Sequence, residues 1–206
     1  DGRALVVERL ARMPEHKRAA AFERLHPPYN DAELVAIWNA SDTPRTALFR
    51  AMILWGTRNA ETCVLARKWA VDGVITIPGA HTKNGRDHGI PLLPLAEHVL
   101  DQAAGNADHY FAGRGMEGHL THNALGKLKR EVMAKSGTTG WQLRDIRRTF
   151  RSNMARLGVP REVCEVLINH APPVLDDIYD KYDRLPEKRE ALAKYEAALV
   201  WLLARV

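Results

Sequence analysis

The 206-residue chain lacks the features that define several large protein classes. It contains no apolar run of about 18 residues, the length that a membrane-spanning helix needs. The opening DGRALVVERL has neither an initiator Met nor an apolar signal core, so we expect it to continue from a longer protein. Internal repeats and low-complexity tracts are also missing, which favours a globular fold.

Cysteine is scarce, with only Cys63 and Cys164, and the two lie far apart in helix-like contexts. We expect both to be buried free thiols in a reducing cytoplasm. Candidate metal ligands are poorly grouped as well. The only close histidine pair is His119 and His122, and no cysteine lies near it, so we expect no metal site.

The composition is that of a soluble globular protein, with 46% hydrophobic and 27% charged residues. The formal net charge is +5 and the pI is about 9.4. This modest basicity is compatible with a nucleic-acid partner and does not require one.

One domain boundary is visible near the start of the chain. Residues 1–29 predict a helical lead-in interrupted by Pro14, too short to fold as a separate domain. Asn30 is placed to cap a helix, and Glu33 completes a capping box with it. We therefore expect the main domain to span residues 30–206, with residues 1–29 as a helical lead-in from a region that precedes it.

The next part of the domain predicts helices followed by a small sheet. TALFRAMILWGTRNAETCVLARKW predicts two helices interrupted at Gly56. Residues 69–93 contain an Asp-Gly turn and a β-branched run in WAVDGVITIPG, and DHGIPLL is a second run that could return as another strand, which predicts a small antiparallel sheet. Between those runs Asn84 and Gly85 favour a tight turn, which would put Lys83 at a hairpin tip. The overall prediction is a mainly α fold with a small antiparallel β-sheet (α+β).

A later helix over residues 144–157 has two distinct faces. Its apolar stripe consists of Ile146, Phe150, Met154 and Leu157. Another face carries four arginines, which are Arg144, Arg147, Arg148 and Arg151.

Two further helices complete the prediction. Gly158 and Pro160 separate the arginine helix from the next one, which is expected to run as far as His170. The last helix begins at Pro186, and its apolar stripe is formed by Leu192, Tyr195, Leu199 and Leu202. That stripe either packs on its own domain or docks onto a neighbouring subunit.

Each polar residue in these segments has an ordinary structural explanation, but five short motifs occur together in one order. They are GTRNAE from Gly56, TKNG from Thr82, RDIRRTF from Arg144, LINH from Leu167 and DIY from Asp177. This set resembles the catalytic domain of the tyrosine recombinases, the phage integrase family, over roughly residues 30–200. The tail YDKYDRLPEKREALAKYEAAL is most similar to integrases of prophages and genomic islands.

The resemblance implies a role for each matching residue. Arg58 and Arg147 would be the two catalytic arginines, with Glu61 as the acidic companion of Arg58. Lys83 matches the hairpin lysine, which would protonate the leaving 5′ oxygen. The remaining matches are His170 for the third box and Tyr179 for the nucleophile.

Some assignments remain open. The family's second box usually begins with histidine, and this chain has Arg144 there, which can hold a phosphate but cannot accept a proton near neutral pH. Tyr182 lies one helical turn beyond Tyr179 and is the alternative nucleophile. Arg148 and Arg151 are candidate contacts to the DNA backbone, and a solvated face explains them equally well.

The function implied by the resemblance is site-specific DNA recombination, as in the integration or excision of a mobile element. Cleavage would proceed through a 3′-phosphotyrosyl link, without metal, ATP or cofactor. The expected partner is a double-stranded DNA attachment site in a bacterial cytoplasm, at the nucleoid during the reaction. The family acts as a tetramer on DNA, with the C-terminal segment docking in trans, and the isolated domain is expected to be monomeric.

Two alternatives differ in class or in reaction. The first is a DNA-binding module that keeps the fold but has lost or weakened its chemistry, with Arg144 as the sign of the loss. The second is a relative of the type IB topoisomerases, which relax DNA with a similar pocket.

Overall fold

A computed structural model describes residues 30–170 and 183–205. Within these ranges the chain forms eight α-helices and a three-stranded antiparallel sheet with strand order β1-β2-β3. The helices are α1 (Asp31–Ala40), α2 (Ala47–Trp55), α3 (Asn59–Cys63), α4 (Pro94–Asp101), α5 (His122–Ser136), α6 (Leu143–Arg156), α7 (Arg161–Leu167) and α8 (Leu185–Leu203). The strands are β1 (Ala70–Val71), β2 (Val74–Ile77) and β3 (His88–Pro91). The predicted mainly α fold with a small antiparallel sheet is confirmed.

The capping box predicted at the start of α1 is present. The Asn30 side chain accepts a hydrogen bond of 2.9 Å from the backbone N–H of Glu33. The Glu33 carboxylate accepts one of 3.0 Å from the backbone N–H of Asn30. Two of the backbone donors that a helix start leaves without partners are therefore satisfied by local sequence alone.

Helix α2 lies at the centre of the molecule. It packs against α1, α3, α4, α6 and α8, and every one of its residues except Arg50 is buried. Because all of its residues except Arg50 are apolar, the helix has no broad face suited to water, which accounts for this central position. The other elements form a shell around it.

Gly56 ends α2 in a conformation and a space that favour glycine. Its φ is +60°, in the left-handed region that other residues rarely adopt. A Cβ built at this position would lie 2.4 Å from Cδ1 of Phe150 on α6. The break predicted at Gly56 is confirmed, and α2 meets α6 there with no room for a side chain.

The sheet follows the predicted hairpin pattern at its first turn. Asp72 and Gly73 join β1 to β2 with φ values of +49° and +72°. Positive φ at both central residues is typical of a type I′ turn, which suits the twist of a two-stranded hairpin.

The connection from β2 to β3 is longer than the predicted tight turn. It spans residues 78–87 and contains a short 3₁₀ helix at Gly79–His81. Gly85 turns the chain with a φ of +73°, next to Asn84. Lys83 lies exposed in this connection, between the two strands as the sequence predicted.

Helix α6 has the predicted apolar stripe, but α7 is shorter than expected. Ile146, Phe150 and Met154 of α6 are buried in the core. Helix α7 ends at Leu167, so the prediction of a helix running to His170 is wrong. Asn169 adopts a left-handed φ of +47°, and the His170 N–H bonds back to the Glu165 carbonyl at 2.8 Å. This is a Schellman-type helix end, with asparagine in the position that glycine usually takes.

The stripe on α8 packs on the chain's own domain. Leu192, Tyr195 and Leu199 are buried, and α8 contacts α1, α2, α6, α7 and β3. The Tyr195 ring meets Phe150 edge-on, with 5.0 Å between centroids. Tyr195 is therefore a core residue, as its place on the stripe predicted.

Both cysteines are buried and free, in agreement with the prediction. A search for bilayer-crossing segments across 30–170 and 183–205 finds none of sufficient length and apolarity.

Replacing Gly56 with alanine tests the contact between α2 and α6. The new methyl group would meet the Phe150 ring at a left-handed φ, so we expect a loss of about 2–4 kcal/mol in the free energy of unfolding. Urea denaturation of the variant measures this loss.

The matched control is Gly137→Ala, because Gly137 ends α5 with a φ of +69° and a Cβ there would meet nothing within 4 Å. Gly137→Ala should lose only the conformational part, about 1–2 kcal/mol. Equal losses in the two variants would show that Phe150 does not constrain Gly56.

Candidate active site

Arg58 lies at the start of α3, where the end of the central helix turns into the next element. Its Nη1 donates to the Glu61 carboxylate at 2.7 Å, and its backbone N–H donates to the same carboxylate at 3.3 Å. Glu61 is 1% exposed, so it holds Arg58 from within the protein. The guanidinium is thereby fixed at the surface of the core, with 20% of the Arg58 side chain exposed.

Arg147 reaches the same region from α6. Its Nη1 donates to the Gly56 carbonyl at 3.1 Å, two residues before Arg58 in the chain. Burial and then the positive charge of Arg58 lower the pKa of Arg147 to about 10. The Arg147 guanidinium nevertheless remains charged at neutral pH. The two positive charges of Arg58 and Arg147 in one partly buried site therefore favour binding of an anion.

Asn169 brings the end of α7 to these arginines. Its backbone carbonyl accepts a hydrogen bond of 3.1 Å from Nη2 of Arg58. The same carbonyl accepts another of 3.1 Å from the side chain of Asn84, in the connection that carries Lys83. Three segments that are distant in sequence therefore meet at one carbonyl oxygen.

His170 follows Asn169 and is held by a carboxylate. Its Nδ1 lies 2.5 Å from Oε2 of Glu165, while 59% of the side chain is exposed. Arg151 bonds the other oxygen of Glu165 through Nε, at 2.9 Å, and through Nη2. Burial works to raise the pKa of Glu165, but the bonds from Arg151 and His170 outweigh it and lower that pKa. Glu165 is thus an anion that orients the His170 ring.

His88 lies beneath the site and was not singled out by the sequence. It begins β3, is 1% exposed, and its Nε2 lies 2.9 Å from the Leu167 carbonyl near the end of α7. Burial lowers the pKa of His88 to about 3, and the charges of Lys188, Arg147 and Arg58 act in the same direction. The ring is therefore neutral, with Nε2 donating to Leu167.

Both predicted nucleophiles, Tyr179 and Tyr182, lie outside the described residues. The described residues next to this segment, His170 before it and Asp183 after it, each form a contact with a charged side chain. His170 bonds Glu165, and Asp183 lies 2.5 Å from the buried ammonium of Lys188.

Lys188 also donates to the Gly89 carbonyl of β3 at 3.0 Å. The last helix is in this way attached to the strand that begins with His88.

The remaining predicted basic residues are exposed at the protein surface. Arg144 and Arg148 are exposed on α6, and Arg148 lies 3.2 Å from Asp145. Lys83 is exposed beside Asn84. The structure thus brings Arg58, Glu61, Arg147 and His170 together and places Lys83 in a segment bonded to them.

Sequence reasoning missed the residues that hold the site together. Glu165, Asn169 and His88 are not part of the chemistry that the motifs indicate, and each acts through a tertiary contact. Asn169 stands next to His170 within the LINH motif, which is the only local hint of its role.

Searches with protein-family models and against curated proteins return no match. Solved structures do match. The integrase from mycobacterium phage Brujita aligns with a TM-score of 0.56 and 15% identity, covering 92% of this chain and 55% of that one. XerA recombinase aligns with a TM-score of 0.57 and 17% identity, over 80% of this chain and 61% of that one.

A third match is a lambda integrase dimer bound to a COC′ core site, with a TM-score of 0.56 and 16% identity over 76% of this chain. The present chain spans between about half and three fifths of these proteins. At this low identity, the structural alignments establish the fold alone. The fold is that of the tyrosine recombinase catalytic domain, as the motifs predicted.

The neutral His88 predicts a pH dependence of stability. Its pKa is about 3 in the folded protein against an ordinary 6.5, so the unfolded chain binds an extra proton between those values. The contribution of His88 is therefore complete above about pH 6.5 and is lost as the pH falls toward 3, by up to about 1.4 kcal/mol per pH unit.

His88→Gln keeps an amide N–H for the Leu167 carbonyl and removes the titrating ring. Urea unfolding of both proteins between pH 7.5 and 4 should show a shallower loss of stability for the variant. Parallel curves for the two proteins would contradict a buried neutral His88.

Proposed function

We propose that the chain is the catalytic domain of a site-specific tyrosine recombinase, which cuts and rejoins DNA through a 3′-phosphotyrosyl intermediate. The observation that carries the proposal is the meeting of Arg58 and Arg147 beside His170. The charge of Arg58 acts on the pKa of Arg147, and Arg58 bonds the residue that precedes His170. The fold shared with integrases and recombinases supports the same function.

Two arginines suit the phosphate of a DNA backbone. Each guanidinium is a forked, permanently charged donor that can bond two oxygens of one phosphate. Negative charge builds on those oxygens as phosphorus becomes five-coordinate, and fixed positive groups then stabilise it most. Glu61 and the Gly56 carbonyl hold Arg58 and Arg147 in place before DNA binds, so little reorganisation is needed.

The proposed reaction exchanges one phosphodiester for another. The phenol of Tyr179 passes its proton to solvent water as its oxygen bonds to phosphorus, and the bond from phosphorus to the 5′ oxygen breaks. Lys83 gives the proton that the departing 5′ oxygen takes up. The 3′-phosphotyrosyl link retains the energy of the original bond, and a 5′ hydroxyl from another strand reverses the step without ATP or metal.

Lys83 suits the role of acid because an ammonium releases its proton far more readily than a guanidinium. Nδ1 of His170 bonds Glu165, so Nε2 lies on the other side of the ring and is suited to donate to a phosphate oxygen in the imidazolium form. Arg144, in the family's histidine position, is suited to hold a phosphate oxygen and has no free lone pair for a proton.

Double-stranded DNA with attachment sites is the partner that we propose. The related structures include lambda integrase on a core site and XerH recombinase on its difH substrate. Arg148 and Arg151 are proposed contacts to the DNA backbone, and Arg151 would exchange or share its bond with Glu165 there.

The assembly that we propose on DNA is a tetramer. The stripe of α8 is already covered by its own domain, so a C-terminal contact in trans would use the end of that helix. Val200 and Trp201 are 51% and 58% exposed there.

A DNA-binding module without efficient chemistry is the second candidate. The observation in its favour is Arg144, which replaces the usual histidine and leaves the tyrosine without that proton acceptor. Covalent trapping on DNA separates the two candidates, because only the enzyme forms a bond to its substrate.

Tyr179→Phe should abolish covalent complex formation, because phenylalanine has no oxygen to attack phosphorus. The measurement uses the full-length protein and a duplex carrying the element's attachment core with a nick beside the scissile phosphate. A denaturing gel then shows the adduct. Tyr182→Phe is the matched control and should retain it. Absence of an adduct with the unmodified protein would favour the binding module.

Arg144→Ala should lower the single-turnover cleavage rate at saturating DNA by about 10- to 100-fold. One charged hydrogen bond to the phosphate, worth about 1.5–3 kcal/mol, would be lost. Arg148→Ala, on the same helix, should weaken DNA binding more than it slows cleavage of bound DNA. Identical behaviour of the two variants would show that Arg144 is an ordinary backbone contact.

A further inference from the structure

A pair of asparagine side chains joins the connection that carries Lys83 to the arginine site. Nδ2 of Asn84 donates to Oδ1 of Asn169 at 2.9 Å and to the backbone carbonyl of Asn169 at 3.1 Å. In return, Nδ2 of Asn169 lies 3.3 Å from Oδ1 of Asn84. These contacts, named here the asparagine clamp, are the three hydrogen bonds between Asn84 and Asn169.

The Asn169 side of the clamp belongs to a buried helix end. Asn169 is buried, and its left-handed backbone belongs to the helix end that also places His170. Its carbonyl accepts from Arg58 as well as from Asn84. A shift of Asn169 would therefore move partners of both a catalytic arginine and His170.

The Asn84 side of the clamp organises its own loop. Oδ1 of Asn84 also accepts from the Arg86 N–H at 3.3 Å and lies 3.1 Å from the Thr82 hydroxyl, which is 2.8 Å from the Arg86 carbonyl. The residues on both sides of Lys83 and Asn84 are thus tied to one amide, and that amide is tied to Asn169. The exposed Lys83 backbone has a defined position relative to Arg58, although its side chain reaches into solvent.

We propose that Asn84 and Asn169 are positioning residues which hold the Lys83 connection over the scissile phosphate, so that its ammonium reaches the leaving 5′ oxygen. This inference rests on the proposed strand-transfer function and adds a role for two residues to which the resemblance assigns none. Proton transfer needs the donor within hydrogen-bond reach of the oxygen, and a displacement of about 1 Å can slow a reaction by about 10²-fold. A lysine on a connection of ten residues, 78–87, needs such an anchor.

The test changes the leaving group so that no acid is needed. In one substrate the bridging 5′ oxygen of the scissile phosphate is replaced by sulfur. A thiol ionises near pH 8.5, so a thiolate departs without a proton, whereas an alkoxide needs one. A defect confined to delivery of the Lys83 proton disappears on this substrate, and a defect in folding or in the arginine site does not.

Asn84→Ala should cleave the ordinary nicked duplex about 10- to 100-fold more slowly than the unmodified protein at saturating DNA. On the 5′-sulfur duplex the two proteins should cleave at similar rates, as Lys83→Ala should too. Asn169→Gly, which tolerates the left-handed backbone and keeps the carbonyl bonds, should show a smaller defect with the same rescue.

Two further variants separate the clamp from general loosening. Asp87 lies in the same connection and accepts the Gly79 N–H at 2.8 Å. Asp87→Ala therefore disturbs the loop without touching the clamp, and it should cleave both substrates nearly as the unmodified protein does. Combining Asn84→Ala with Asn169→Gly should be no slower than Asn84→Ala alone, because both remove the same interaction.

The cleavage rates on the two substrates decide whether the asparagine clamp positions Lys83. Slow cleavage by Asn84→Ala on both substrates, or unchanged cleavage on both, would overturn the proposal. An unmodified protein that cleaves neither substrate would instead refute strand transfer itself and remove the basis for the clamp. Rescue by sulfur in Asn84→Ala, without a defect in Asp87→Ala, supports it.

Discussion

The arrangement of the site depends on the contact between Gly56 and Phe150, where the central helix ends against α6. Because the glycine has no side chain, the two elements approach closely enough for Arg147 to bond the Gly56 carbonyl. Arg58 follows two residues later at the start of α3. The spacing of the two arginines is therefore set by backbone packing in the core rather than by the arginines themselves.

Two carboxylates among the described residues balance part of the positive charge at the site. Glu61 is the buried carboxylate that holds Arg58, and Glu165 holds His170 and Arg151. The buried His88 stays neutral because burial and neighbouring positive charges both oppose its protonation. Among the described residues the site keeps an excess of positive charge and donor groups, which suits the phosphate of the proposed DNA substrate.

Much of the fold could be predicted because its determinants are local. The capping box at Asn30, the break at Gly56 and the stripe of α6 each depend on residues within a few positions of one another. The end of α7 could not be predicted in this way. The apolar pattern continues past Leu167, and the helix stops because Asn169 turns and bonds partners from other segments.

The sequence by itself determined the helical and strand pattern and the order of the motifs, including Arg58, Lys83, Arg147 and His170. These follow from residue type and spacing, which any short segment carries with it. Only the tertiary structure decided that Asn84, Glu165, Asn169 and His88 support those residues. Their roles depend on distances between remote segments, and such distances exist only once the core has packed around α2.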